Sequence, residues 1–262
     1  MHLVPLTSEQ HAALRLRSPA DYRFAQDNVL VALFGTEALR AAHGFPIAFA
    51  VEAEGYVPTA LMGTEPGQNV FIDSQGRWLA NYLPALWRRS AFRLARLEGG
   101  EDWVLCIDQD SPWLSPDEGL PLFDEAGKPT QLVQQAMQFL GQLEAARQAT
   151  LTACAAIDRQ GLIIPWELKV NRQDGTVQRL DGLYRIDEDK LRALESEALD
   201  DLHRHQALPL IYAHLFSLHK LPLLGQLAAE RAAEKQQRQM LQEGKLDLDR
   251  LFGIVEDDPF IF

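Results

Sequence analysis

A chain of 262 residues, 47% apolar and 24% charged, is large enough to bury a core without disulfide or metal staples. A formal net charge of -12 and a pI near 5.0 argue against non-specific binding of nucleic acid or of an anionic membrane by the surface as a whole. Cys106 and Cys154, the two cysteines, both lie in apolar runs and read as buried thiols of a reducing compartment rather than a disulfide framework. The first residues lack a basic segment followed by an apolar one, and the apolar runs fall short of the ~20 residues that span a bilayer. The expectation is a soluble, cytoplasmic protein that is not membrane-spanning.

In chain order, Thr7-x-x-Gln10 reads as a capping box opening a short helix over Gln10 to Arg17, closed by Pro19. Tyr22 to Ala42 reads as a linker followed by a helix that stops before Gly44. Phe45, Ile47, Phe49 and Val51 alternate as a half-buried strand, Glu54-Gly55 turns the chain, and Tyr56 to Gly63 returns as an edge strand because of Pro58. Asn69 to Asp73 reads as a third strand and Asp73 to Gly76 as a tight turn. Pro84 suits only the first turn of a helix, so the spacing predicts a short helix over Pro84 to Arg89. Strands follow at Phe92 to Leu97 and Trp103 to Ile107, with a turn at Gly99-Gly100. The second run is apolar throughout and fits a central strand. Ser111 to Gly119 is loop, and Asp124 to Gly127 repeats the Asp-x-x-Gly turn.

Thr130 is a good N-cap, and apolar residues at helical spacing predict one long helix over Gln131 to Ile157. Leu162 to Val170 alternates as a strand. Asp174-Gly175 turns it, and Leu180 to Ile186 returns, with Trp166 and Tyr184 on the buried face. Asp187 caps a helix over Glu188 to His203, Leu208 to Leu218 is a buried helix, and Leu223 to Leu241 is a solvated one. The tail from Leu246 to Phe262 is acidic yet carries Leu251, Phe252, Ile254, Phe260, Ile261 and Phe262, and Phe260 and Phe262 are expected to be held against protein. The fold class that results is α+β: an antiparallel sheet with a long central helix and a C-terminal helical segment. One domain is expected over residues 1–225, with a C-terminal helix and acidic-aromatic tail over 226–262.

The stretch that departs furthest from the average composition runs from Arg77 to Arg96. It holds five arginines and no acid, interleaved with Trp78, Tyr82, Trp87 and Phe92. Arginine offers a planar fork for a carboxylate or phosphate, and aromatic rings offer stacking area. Trp78, Tyr82, Trp87, Arg88, Arg89 and Phe92 are therefore the candidate ligand-binding residues. Adjacent residues on a helix point about 100° apart, so Arg88 and Arg89 should do different jobs. One should be structural and the other available to an anion, with Trp78 or Tyr82 near enough to stack. The competing reading has these arginines paired with the protein's own acids and the aromatics in the core.

Other chemistry has less support. No nucleophile-elbow, Walker or dinucleotide-binding pattern is present, and no catalytic residue is assigned. Asp73, Asp108 and Asp181 fall at strand ends, where turn and cap roles are the commoner use. His203-x-His205, with His214 and His219, lacks metal-ligand spacing, and His214 reads as a buried ring held by hydrogen bonds. No metal or cofactor is expected.

The order of several short motifs resembles the SapC family of bacterial proteins. They are Phe45-Pro46-Ile47-x-Phe49, Ala60-Leu61-Met62-Gly63, Asn69-x-Phe71-Ile72-Asp73-x-x-Gly76-x-Trp78 and Tyr82-x-Pro84-Ala85-x-x-Arg88-Arg89-x-x-Phe92. Leu122-Phe123 with Gly127-x-x-Thr130, Asp187-Glu188-x-Lys190-Leu191 and Ile211-Tyr212-Ala213-His214 with Ser217-Leu218 extend the likeness over roughly residues 3 to 225. Ser90-Ala91 departs from the Arg-x-Pro-Phe spacing that the resemblance implies before Phe92. The family name implies an association with a bacterial surface layer, and no reaction is settled for the family. The resemblance implies an accessory role beside flavin-dependent halogenase-like proteins, cupin-like proteins or TonB-dependent receptors. The leading expectation is an accessory protein that binds a peptide, a protein partner or a small acidic ligand, with no chemistry of its own. The alternatives are an enzyme or enzyme subunit acting with a neighbouring oxygenase or flavin-dependent protein, and a surface-layer-associated protein exported without a cleaved signal.

Overall fold

A computed structural model describes residues 2–96, 103–171 and 177–242. The turns expected at Gly99-Gly100 and Asp174-Gly175 and the tail beyond Gln242 lie outside the described residues. The N-terminal half runs β1 (Leu3–Pro5), α1 (Ser8–His11), β2 (Arg15–Leu16), β3 (Leu30–Ala32), α2 (Gly35–Ala41), β4 (Ile47–Glu52), β5 (Gly55–Leu61), α3 (Ala85–Arg88), β6 (Phe92–Arg96), β7 (Trp103–Asp108), β8 (Leu114–Ser115) and β9 (Leu120–Pro121). The C-terminal half runs α4 (Gln131–Arg159), β10 (Ile163–Pro165), β11 (Leu168–Asn171), β12 (Val177–Leu180), β13 (Leu183–Ile186), α5 (Glu188–Arg192), α6 (Ser196–Arg204), α7 (Ala207–Ser217) and α8 (Leu221–Gln242). The fold is α+β, and the described strands pair antiparallel throughout.

The larger sheet has the order β10-β13-β4-β5-β3. Pro58 does not make β5 an edge strand, because β5 lies between β4 and β3. The Pro58 carbonyl accepts from Leu33 N at 2.8 Å, on the side where β3 has just ended, so the missing N–H on that side leaves no acceptor stranded. The expected alternation in β4 also fails at its start. Ile47, Ala48 and Phe49 are all buried, because helices cover the outer face there. Asn69 to Asp73 is not a strand; a single bridge, Ile72 to Trp78, closes the turn. In that turn Asp73 Oδ1 accepts from Gln75 N and Arg77 N, both at 2.8 Å, and Gly76 takes φ 80°.

The predicted hairpin over Leu162 to Ile186 is split between two sheets. Ile163–Pro165 pairs with β13 in the large sheet, whereas Leu168–Asn171 pairs with Val177–Leu180 in a separate ribbon. Pro165 and Gly182, at φ 78°, break the two strands on opposite sides, which shifts the facing. Leu162, Ile163, Leu168, Leu183 and Ile186 are buried, and Trp166 and Tyr184 are only half-buried. The first helix is Ser8–His11, and Arg15–Leu16, expected as its end, is instead a strand paired with β8 and β9. Thr7 makes no side-chain cap, and its N–H donates instead to His11 Nδ1 at 3.1 Å. The helix expected over Glu188 to His203 breaks into α5 and α6, although Asp187 caps the first piece by accepting from Lys190 N.

Helix α4, at 29 residues about 44 Å long, serves two cores. Its C-terminal half buries Ala153, Cys154 and Ile157 under the large sheet with Phe45, Phe49 and Ile211. Its N-terminal half buries Val133 and Leu140 with Phe92, Ile107 and Leu122, under the sheet β1-β7-β6. Between these, Ala85 of α3 is buried against Ala146, with Phe139 and Leu143 beside them. The helical run Ala207–Leu241 is long and apolar enough, by length and composition, to cross a membrane, with 39% of its apolar window buried inside the protein. Its first part is core: Leu210, Ile211, Ala213 and His214 are at most 1% exposed.

Candidate functional site

The four-residue helix α3 begins after Pro84, whose missing N–H is no loss at a helix start. The next orphan donor, Ala85 N, is satisfied by a carboxylate from another element. Glu37 of α2, 4% exposed, accepts from Ala85 N at 2.9 Å and from the Tyr82 hydroxyl at 2.6 Å through Oε2, and from Phe34 N at 3.0 Å through Oε1. Burial, then the hydrogen bond and charge of Glu37, push the Tyr82 phenol up to about 12, with Arg88 acting weakly the other way. Arg88 Nη2 donates to the Tyr82 oxygen at 3.1 Å, and its guanidinium lies 5.6 Å from the Tyr82 ring centroid and 5.5 Å from that of Phe139. Arg88, Tyr82 and Glu37 thus form an internal chain, which occupies both Arg88 and Tyr82.

The turn of α3 aims Trp87 inward. It meets Trp78 edge-on at 5.3 Å between centroids, and Trp78 packs in turn on Phe45, Phe71 and Tyr22. Trp78 Nε1 donates to the Tyr82 carbonyl at 3.0 Å. Trp78 therefore organises the core around the turn. Phe92 is 1% exposed in the second core and offers a ligand nothing.

Arg89 points the other way, into a cleft of about 450 Å³ walled by Phe24, Trp87 and Trp113. Its Nε is buried without a partner, and its guanidinium makes no hydrogen bond or ion pair among the described residues. Burial holds its pKa below the ordinary arginine value. Arg93 enters the same cleft from β6 and donates through Nη1 to the carbonyls of Ser90 at 2.9 Å and Phe92 at 2.7 Å, while its Nε is likewise unpartnered. Burial and then the like charge of Arg89 pull the Arg93 pKa down to about 10, with Asp108 acting in the opposite direction. Ser90, between α3 and β6, holds φ 53°, a left-handed backbone uncommon outside glycine, at the point where the sequence departs from the expected pattern. Two partly desolvated guanidiniums are crowded beside apolar rings here, and an anion placed between them would relieve both the repulsion and the missing hydrogen bonds.

Of the six residues singled out in the sequence, Trp87 and Arg89 line this cleft; Arg88 and Tyr82 belong to the Glu37 chain, and Trp78 and Phe92 are packing residues. The sequence reading missed Phe24, Trp113 and Asp108 as partners of the arginines. Arg93 lay in the same arginine run, but its spacing from Arg89 carried no signal once the chain turned from helix to strand.

The histidines are placed elsewhere. His214 is fully buried between strands, and the His205 ring contacts Asp201. Among the described residues no three His, Cys, Asp or Glu side chains converge as a metal would require. Burial raises both thiols, Cys154 to about 12. Compared with known proteins, residues 6–224 match the model of the SapC family. No curated protein and no solved structure matches the chain.

Proposed function

The chain belongs to the SapC family, and on that premise we propose that it is a soluble cytoplasmic accessory protein that binds a carboxylate-bearing small molecule, or the carboxylate end of a peptide, in the Arg89 cleft and performs no chemistry of its own. The observation that carries this reading is Arg89 itself. It is a half-buried guanidinium with an orphaned Nε, in a cleft that Phe24, Trp87 and Trp113 wall in part with aromatic rings. An anionic ligand would supply the acceptor that this guanidinium lacks within the protein. The flat fork of arginine matches a planar carboxylate, and the cleft volume is that of a small-molecule site.

The test is calorimetric titration of 3-phenylpropionate and of inorganic phosphate into the wild-type protein and into Arg88→Ala and Arg89→Ala. The aromatic carboxylate is expected to bind with Kd of about 1 mM or tighter, and Arg89→Ala to weaken it about tenfold or more. Arg89→Ala should melt at or above the wild-type temperature, since it removes a desolvated charge. Arg88→Ala should bind normally but lose about 0.5–1 kcal/mol of stability with its ring contacts and its bond to Tyr82. No binding of either anion, or equal binding by Arg89→Ala, overturns the proposal.

A further inference from the structure

The Arg89 cleft carries charges of both signs. Glu52, Asp108 and Asp110 line it together with Arg89 and Arg93, so three carboxylates share the space with two guanidiniums. No ion pair joins Arg89 or Arg93 to Asp108. Asp108 Oδ1 accepts from His2 N at 2.9 Å, whereas among the described residues its Oδ2 accepts no hydrogen bond. Asp108 is nevertheless near enough to act on Arg93 through its charge. Asp108 N donates to Ala91 O at 2.9 Å, and the ladder places Phe92 opposite Ile107 and Arg93 opposite Cys106. Acid and base are thereby mounted on adjacent strands of one rigid sheet at a preset spacing.

We infer that the ligand is a zwitterion of amino-acid type, with a carboxylate for Arg89 and Arg93, an ammonium for Asp108 and a flat apolar side chain for Phe24, Trp87 and Trp113. The inference rests on the reading of this cleft as a carboxylate site and adds the second charge. A polyanion would meet the Asp108 carboxylate, and a plain cation would meet the Arg89 and Arg93 guanidiniums, whereas a ligand bearing one charge of each sign satisfies both. Phe24 stands 39% exposed, 6.0 Å between centroids from Trp113 and 6.4 Å from Trp87, so an open aromatic face is ready for the side chain.

Three probes that share one apolar body separate the charges: L-phenylalanine, 3-phenylpropionate, which lacks the ammonium, and 2-phenylethylamine, which lacks the carboxylate. Calorimetry on the wild-type chain is expected to show phenylalanine binding about tenfold or more tighter than either single-charge probe. Asp108→Asn should erase the advantage of phenylalanine over phenylpropionate, and Arg89→Gln its advantage over phenylethylamine. If phenylpropionate binds the wild-type protein as tightly as phenylalanine, the zwitterion is wrong while the carboxylate site stands. If no carboxylate binds in an Arg89-dependent way, the underlying reading fails with it. The comparison of probes on the unmutated chain does not depend on how either variant folds.

Discussion

Acidification should destabilise this protein through His214. The ring is fully buried on α7 and joins two strands: Nδ1–H donates to the Ile47 carbonyl at 2.7 Å, and Nε2 accepts from Ile186 N at 3.2 Å. This arrangement requires the neutral imidazole, since a protonated Nε2 would present a proton to the Ile186 N–H. Burial first, and the charge of Arg185 in the same direction, lower its pKa from 6.5 to about 4, against the favourable bond to Ile47. The unfolded chain therefore binds the proton more readily than the folded one. The contribution of the neutral ring is fully present above pH 6.5 and is lost as the pH falls from there toward 4. Linkage sets the loss at about 2 kcal/mol by pH 5 and about 3 kcal/mol below pH 4. Urea denaturation of the wild type and of His214→Gln at pH 8, 7, 6 and 5 measures it, because titrations common to both chains cancel in the difference. The wild-type advantage should shrink by about 2 kcal/mol between pH 8 and pH 5. A difference that stays constant over that range refutes the argument.

The Glu37 chain makes a second prediction. Glu37→Ala leaves Phe34 N, Ala85 N and the Tyr82 hydroxyl without their acceptor and should cost about 3 kcal/mol or more in chemical denaturation, whereas Tyr82→Phe, which removes one hydroxyl, should cost about 1–2 kcal/mol. A loss under about 1 kcal/mol for Glu37→Ala would show that solvent replaces the carboxylate. Ser90→Gly relieves a left-handed backbone and should leave the melting temperature unchanged or raise it by the equivalent of up to about 1 kcal/mol; a clear fall would mean that the serine side chain is needed there. Both thiols are buried with raised pKa, so Cys106 and Cys154 should react with a thiol reagent only at the rate of unfolding, and rapid labelling of the native protein would contradict their placement.

What the sequence determined by itself was the structure whose cause is local. The long helix expected over Gln131 to Ile157 is Gln131–Arg159, and the expected start after Pro84 is where α3 begins. The two Asp-x-x-Gly turns share one geometry, with Asp124 Oδ1 accepting from Ala126 N and Lys128 N as Asp73 does from Gln75 and Arg77. The divergence of Arg88 from Arg89 follows from helical spacing alone. Pairing was decided elsewhere. Nothing near Leu183 says that it will lie between Ile47–Glu52 and Ile163–Pro165, and the alternation through Leu162 to Val170 does not reveal that Pro165 hands the chain to a second ribbon. The same holds for the cleft. Phe24 and Trp113 come from opposite sides of the chain to stand by Arg89, and Trp78, adjacent in the motif, turns away into the core. Turns and helices are chosen by hydrogen bonds within a few residues, which a sequence displays directly. Sheet order and cleft walls are chosen by which apolar faces bury one another across the whole chain, and only the tertiary structure settles that competition.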